Sequence, residues 1–147
     1  MSLPPPLHMA LNGPRSLSGL QQFAVRIPSL SATGTVAVAF AMDGDQELAS
    51  FAFVPDLVLA GDDTNYWTIA LFNRGTDGSG TAAMFTAVDT RAASLNGLAV
   101  NDAEVFTLTA PVLADGEVAA MVFTKSDNPD PIAGTAFFTV KRRCTYK

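Results

Sequence analysis

Clusters of Gly, Asn, Asp and Pro recur along this chain at intervals too short to hold a helical crossover between strands. They are Asp43-Gly44-Asp45, Gly61-Asp62-Asp63, Gly75 to Gly80, Asn96-Gly97, Asp115-Gly116 and Asp127 to Pro131. Gly and Asn accept the positive φ that tight turns demand, and Pro presets a negative one. Between them lie eight runs with strand character: Gln21–Ile27, Thr33–Met42, Glu47–Val54, Tyr66–Asn73, Thr81–Asp89, Glu104–Thr109, Glu117–Thr124 and Thr135–Arg142. Alternating βα units would need repeated helices, and the spacing leaves room for one short helix at most, near Ala92–Leu98. The pattern predicts an all-β chain: a single antiparallel β-sandwich or jelly-roll-like domain of about eight strands over residues 20–147. An extended N-terminal arm, residues 1–19, precedes it.

Composition agrees with a packed domain. In 147 residues, 48% are apolar and 16% charged, which excludes disorder driven by charge. The alternation within the runs is unusual. Val36, Val38, Phe40 and Met42 fall on one side of their run and Thr35, Ala37, Ala39 and Ala41 on the other. Trp67, Ile69 and Leu71 oppose Tyr66, Thr68, Ala70 and Phe72, and Val118, Ala120 and Val122 oppose Ala119, Met121 and Phe123. Both sides of these runs are small or apolar, where a sheet facing water would alternate with polar residues. A second layer or a second subunit is expected against the outer side, so the chain reads as a homo-oligomer.

The arm is built differently. Pro4-Pro5-Pro6 favours polyproline conformation, and Leu3, Leu7, Met9, Leu11, Leu17 and Leu20 are too apolar for a solvated tail. Burying each such side chain contributes roughly 1.5–3 kcal/mol, so the arm is expected to lie on a surface. Its opening residues lack a basic segment and the prolines interrupt a signal-peptide helix, so no leader is expected. No apolar run reaches the ~18 residues of a membrane-spanning helix. Charge is segregated: residues 1–32 carry +2, residues 33–140 carry −11 and residues 141–147 carry +4. Basic ends on an acidic body point to a negative neighbour. Lys141-Arg142-Arg143 beside so acidic a body is weak support for nucleic acid; an acidic protein surface is at least as good a partner, and a strand edge capped with charge accounts for it as well.

Catalytic and metal chemistry finds little support. Cys144 and His8 are single, and His8 sits in the proline-rich arm, a poor place to hold an imidazole rigidly. Gly78-Ser79-Gly80 lacks the spacing of a nucleophile elbow, and no phosphate-cradling or dinucleotide-binding glycine loop occurs. Asp43, Asp45 and Glu47, and Asp62 with Asp63, are hard-oxygen ligand types for Ca²⁺. The first group lacks the later bidentate Glu, however, and exposed capped turns account for both. Tyr66 and Trp67 are adjacent in a strand and therefore point to opposite sides, which excludes a flat sugar-stacking platform. No enzyme, no cofactor and no metal site is expected.

The segment Asp63-Thr-Asn-Tyr-Trp-Thr-Ile-Ala-Leu-Phe-Asn-Arg-Gly-Thr-Asp-Gly-Ser-Gly-Thr81 resembles a strand and decorated turn of tailed-bacteriophage virion proteins. Leu113-Ala-Asp-Gly-Glu-Val-Ala-Ala-Met-Val-Phe-Thr-Lys125 resembles a strand opening in the same sandwiches. The likeness spans roughly residues 33–142 and carries no catalytic signature. It implies a β-sandwich of the head decoration (cement) type, bound to the major capsid protein on the capsid surface of a virion, made in the host cytoplasm and favouring a trimer. Docking residues would be Leu3, Leu7, Met9, Leu11, Arg15 and Leu17 of the arm, with Arg142 and Arg143 as electrostatic contacts. The alternative is a tail- or head-fibre domain that recognises a receptor or carbohydrate through the loops Asp62–Asn65, Gly75–Gly80 and Asp127–Pro131.

Overall fold

The computed structural model describes residues 19–41 and 44–142. Among these described residues twelve strands follow one another: β1 (Leu20–Leu30), β2 (Gly34–Phe40), β3 (Gln46–Pro55), β4 (Leu59–Ala60), β5 (Trp67–Asn73), β6 (Ala82–Ala83), β7 (Val88–Asp89), β8 (Gly97–Leu98), β9 (Glu104–Phe106), β10 (Val112–Leu113), β11 (Val118–Lys125) and β12 (Ile132–Arg142). Every pairing is antiparallel, and the pairings nest. β1 takes β12, β2 takes β11, β3 takes β9 and β10, β4 takes β8, and β5 takes β6 and β7. Such nesting is one long hairpin rolled up, and the roll is closed by β12 pairing with β3 and β11 with β5. The result is a jelly roll of two principal sheets. The first has the order β1-β12-β3-β10, with β9 also on β3; the second has β2-β11-β5-β6, with β7 also on β5.

The core lies between these sheets. Ile27, Leu48, Phe51, Phe53 and Ala136 face it from the first, and Trp67, Ile69, Leu71, Met121 and Phe123 from the second; all are buried. Phe53 and Phe123 meet across the gap with ring centroids 5.7 Å apart, and Phe85 stacks on Phe106 at 4.5 Å. The indole of Trp67 donates to the Asp130 carbonyl at 2.8 Å, and its backbone N–H donates to the buried Thr90 hydroxyl. This bonding satisfies the polar atoms of the largest core side chain. Glycine is required at position 97, where φ is +86° and a Cβ would strike the Leu59 carbonyl of the β4–β8 pair.

Two expectations need correction, and the segment near Ala92–Leu98, the one place with room for a short helix, makes a turn. Asn96 has φ +54°, and the Arg91 carbonyl accepts from the amides of both Ser94 and Asn96. The run Thr81–Asp89 is not one strand: it pairs with β5 as β6 and β7, while between them Met84 donates its amide to the Leu71 carbonyl, Met84 and Phe85 are both buried, and Phe85 bridges to Leu108. The alternation in β2 also fails. The register shifts between Ala119 and Ala120, so β2 carries an extra residue, Val38, between Ala37 and Ala39. This bulge turns Phe40 outward, 50% exposed, and buries Ala41.

Candidate interaction surfaces

The outer side of the second sheet is apolar from edge to centre. Register places Ala37 beside Ala120, Ala120 beside Phe72, and Phe72 beside Ala83 in one row. The neighbouring rows set Thr35 by Val122 and Ala70, and Phe40 by Val118. Ala120 points away from the core yet is only 2% exposed, because Ala37 and Phe72 close over it. Next to the row lies a shallow depression of about 280 Å³ lined by Ala37, Val38, Ala39, Phe40 and Val118. Aliphatic floor and one projecting aromatic ring make this an apolar surface patch. Ala37 in this surface is exposed, and Phe72, Val118 and Val122 are half-buried.

The outer side of the first sheet is mixed. One apolar row crosses it: Ala24, Phe137, Ala52 and Val105, directly opposite one another on four strands. On one flank are Gln22, Thr139 and Ser50, whose Ser50 and Thr139 hydroxyls are 2.7 Å apart. On the other are Arg26, Thr135 and Val54, with Arg26 ion-paired to Asp56. Polar rows thus frame a single greasy one.

The ends of the sandwich carry the loops. Asp62–Asn65 and Asp127–Pro131 meet at one end. The Asn65 side-chain carbonyl accepts from the Asn128 amide at 3.1 Å, and the Ser126 hydroxyl donates to the Thr64 carbonyl and accepts from the Tyr66 amide. A cleft of about 220 Å³ lies there, lined by Asp62, Asn65, Asn128 and Asp130 with Leu59, Thr90 and Pro129. Amides of Asn65 and Thr64 and the Asn65 side chain hold the Asp62 carboxyl below its ordinary range, so it lines the cleft as an anion at neutral pH. Beside it the Arg91 guanidinium lies over the Tyr66 ring at 4.8 Å and bonds Asp89 at 2.6 Å. The loop Gly75–Gly80 belongs to the opposite end, since β5 runs the depth of the sandwich between it and Asp62–Asn65. The three loops named for a recognition surface are therefore two neighbours and one outlier.

Asp43 lies outside the described residues, and Asp45, Asp62 and Asp63 act as turn caps. Asp62 accepts two backbone amides, Asp63 accepts that of Ala92 and Asp45 that of Asp115, while Asp115 accepts that of Gly44. Among the described residues no group of three or more His, Cys, Asp or Glu is placed to hold a metal ion. Of the docking residues, Leu3, Leu7, Met9, Leu11, Arg15, Leu17 and Arg143 lie outside the described residues; Arg142 ends β12, exposed, opposite Gln46. Phe40 is the exposed aromatic residue that alternation assigned to the wrong side. A bulge inside Ala-Val-Ala-Phe-Ala has no compositional mark, such as a Gly, to betray it.

No protein-family profile and no curated protein matches the chain. Among solved structures, the "Structure of infectious bursal disease virus Gx strain" is similar over 86% of this chain, at a TM-score of 0.40 and 12% identity. The likeness covers 33% of that chain, so the present sequence spans about a third of its length.

Proposed function

We propose that this chain is a non-enzymatic structural protein of a virion, a decoration protein that binds the major capsid protein and strengthens the head. The observation that carries the reading is the apolar outer side of the second sheet, with the half-exposed Phe40 projecting from it. The resemblance of Asp63–Thr81 and Leu113–Lys125 to virion sandwiches supplies the setting. Apolar area removed from water at such a contact is worth roughly 25 cal/mol per Å² before ordering costs. The arm, through Leu3, Leu7, Met9, Leu11, Arg15 and Leu17, is the second anchor, and Arg142 and Arg143 meet acidic capsid surface. The protein acts as a homo-oligomer.

The test is co-sedimentation with capsids stripped of this protein. The full chain binds; a chain lacking residues 1–19, or carrying Phe40→Asp, does not, while both keep the circular dichroism of the parent. Binding undiminished in both variants removes the reading. A second reading, glycan or receptor recognition, rests on the Asp62–Asn128 cleft. Specific signals on a glycan array that survive Phe40→Asp and vanish with Asp62→Ala favour it.

A further inference from the structure

Sheet edges are where a sandwich adds a partner, because one side of an edge strand carries N–H and C=O groups with no strand beside them. The two principal sheets present four edges, and three are blunted. The far edge of the first sheet is made of β9 and β10, three and two residues long. That of the second is made of β6 and β7, two residues each. β2 is broken by its bulge at Val38. β1 is the exception. Leu20–Ile27 pair with Lys141–Gly134 without interruption, and β12 is the sole strand partner of β1 among the described residues. At about 3.4 Å per residue this leaves an open edge of roughly 27 Å. Its one charge, Arg26, is held by Asp56 of the same chain, and its first proline, Pro28, comes only after the regular run.

Side chains of β1 are also left open on the edge side. Phe23 points to the core side and stacks on Phe138 at 5.5 Å, yet it is 43% exposed, with no strand beyond it among the described residues; Leu20 is 50% exposed.

We propose that β1 pairs antiparallel with β1 of a second copy, about a two-fold axis through Ala24, joining the two first sheets into one. An axis perpendicular to the sheet keeps both cores on the same side, so residues opposed across it must share a face. Centring on Ala24 sets it against its own copy, Gln22 against Arg26 and Phe23 against Val25. The last is an aromatic–β-branched pair that covers the exposed ring, and no Arg26 meets another. The row Val105, Ala52, Phe137, Ala24 then continues unbroken across the axis into the second molecule. Centring on Phe23 would oppose Val25 with Gln21 and Ala24 with Gln22. Centring on Val25 would oppose Ala24 with Arg26. Each breaks the row.

This inference does not depend on capsid binding, and its test uses the full chain alone, by sedimentation and light scattering. The parent sediments as a dimer at micromolar concentration. Ala24→Lys and Ala24→Glu each place like charges opposite one another at the axis and weaken the dimer on the order of fivefold, and mixing the two variants restores it. Gln22→Glu faces Arg26 of the second copy and tightens the dimer by about twofold or more. A monomeric parent, a trimer, a dimer indifferent to the Ala24 changes, or a mixture that stays dissociated overturns the proposal. If circular dichroism shows that the Ala24 variants do not fold, Gln22→Glu decides alone: tightening supports it, and no change or weakening overturns it.

Discussion

The two outer sides of this jelly roll are built from the same kind of strand and finish differently. The side formed by β2, β11 and β5 shows Ala, Val and Phe in adjoining rows, with Phe40 standing clear. The side formed by β1, β12 and β3 confines its apolar residues to one row, between a hydroxyl-rich row and one containing the Arg26–Asp56 pair. Polar rows suit a sheet side that faces water, and on the second sheet they are confined to the marginal row of Thr124, Thr68 and Asp89. The contrast separates buried residues that hold the fold from apolar residues left at its surface.

The largest effect should come from crossing between those two classes. Trp67→Ala empties the core and removes the bond to Asp130, and should lower stability by about 3–5 kcal/mol in urea unfolding. Phe40→Ala, on an exposed ring, should change it by less than about 1 kcal/mol. Equal losses would mean that the outer side belongs to the fold after all. Next, Val118→Asp should weaken capsid binding by about thirtyfold, the scale of a hot-spot residue, while Thr135→Asp on the other side should leave it within about twofold. Pull-down against immobilised capsid protein would measure both, and similar losses would erase the distinction between the sides.

Acid sharpens the comparison at the margin of the second sheet. Asp89 lies opposite Thr68, and its carboxyl is held below the ordinary value of 3.8 chiefly by the side-chain bond from Arg91. A carboxyl with a depressed folded-state pKa adds stability that is complete above its unfolded value and disappears as pH falls through the folded one. The difference in stability between the parent and Asp89→Asn should therefore shrink below about pH 4. A difference that stays constant down to pH 2 would show that the Arg91 bond does not act through charge. The smallest effect belongs to the mixed side. Arg26→Ala removes a solvent-exposed ion pair and should cost less than about 1 kcal/mol, with much of that gone in high salt.

Much of this could be read from residue order. The long strands declared themselves, because Trp67, Ile69 and Leu71, like Ala119, Met121 and Phe123, alternate with outward residues for the whole length of β5 and β11. The apolar outer sides were equally legible in Ala70, Phe72, Ala120 and Val122. What escaped was set by distant register. β4, β8 and β10 are two-residue pairings whose place depends on where β3 and β5 stop, and no local period encodes that. Ala92 to Leu95 has helix-forming composition, but Asp63 takes the Ala92 amide, Thr90 takes that of Gly97, and the chain is held in a turn. The joining of Asp62–Asn65 with Asp127–Pro131, and the separation of both from Gly75–Gly80, is a product of the rolled topology and not of any motif.

The outermost pairing, β1 with β12, has a consequence for how the chain acquires its shape. Residues more than a hundred positions apart must find each other before the first sheet is complete, since β12 also supplies the partner of β3. Loop closure on that scale makes for slow, all-or-none folding, and a nascent chain on the ribosome cannot finish the structure until its last strand has emerged. Because Leu20 lies against Lys141, a circular permutant that links these points and opens the Gly75–Gly80 loop would keep every ladder while turning the latest contact into a local one.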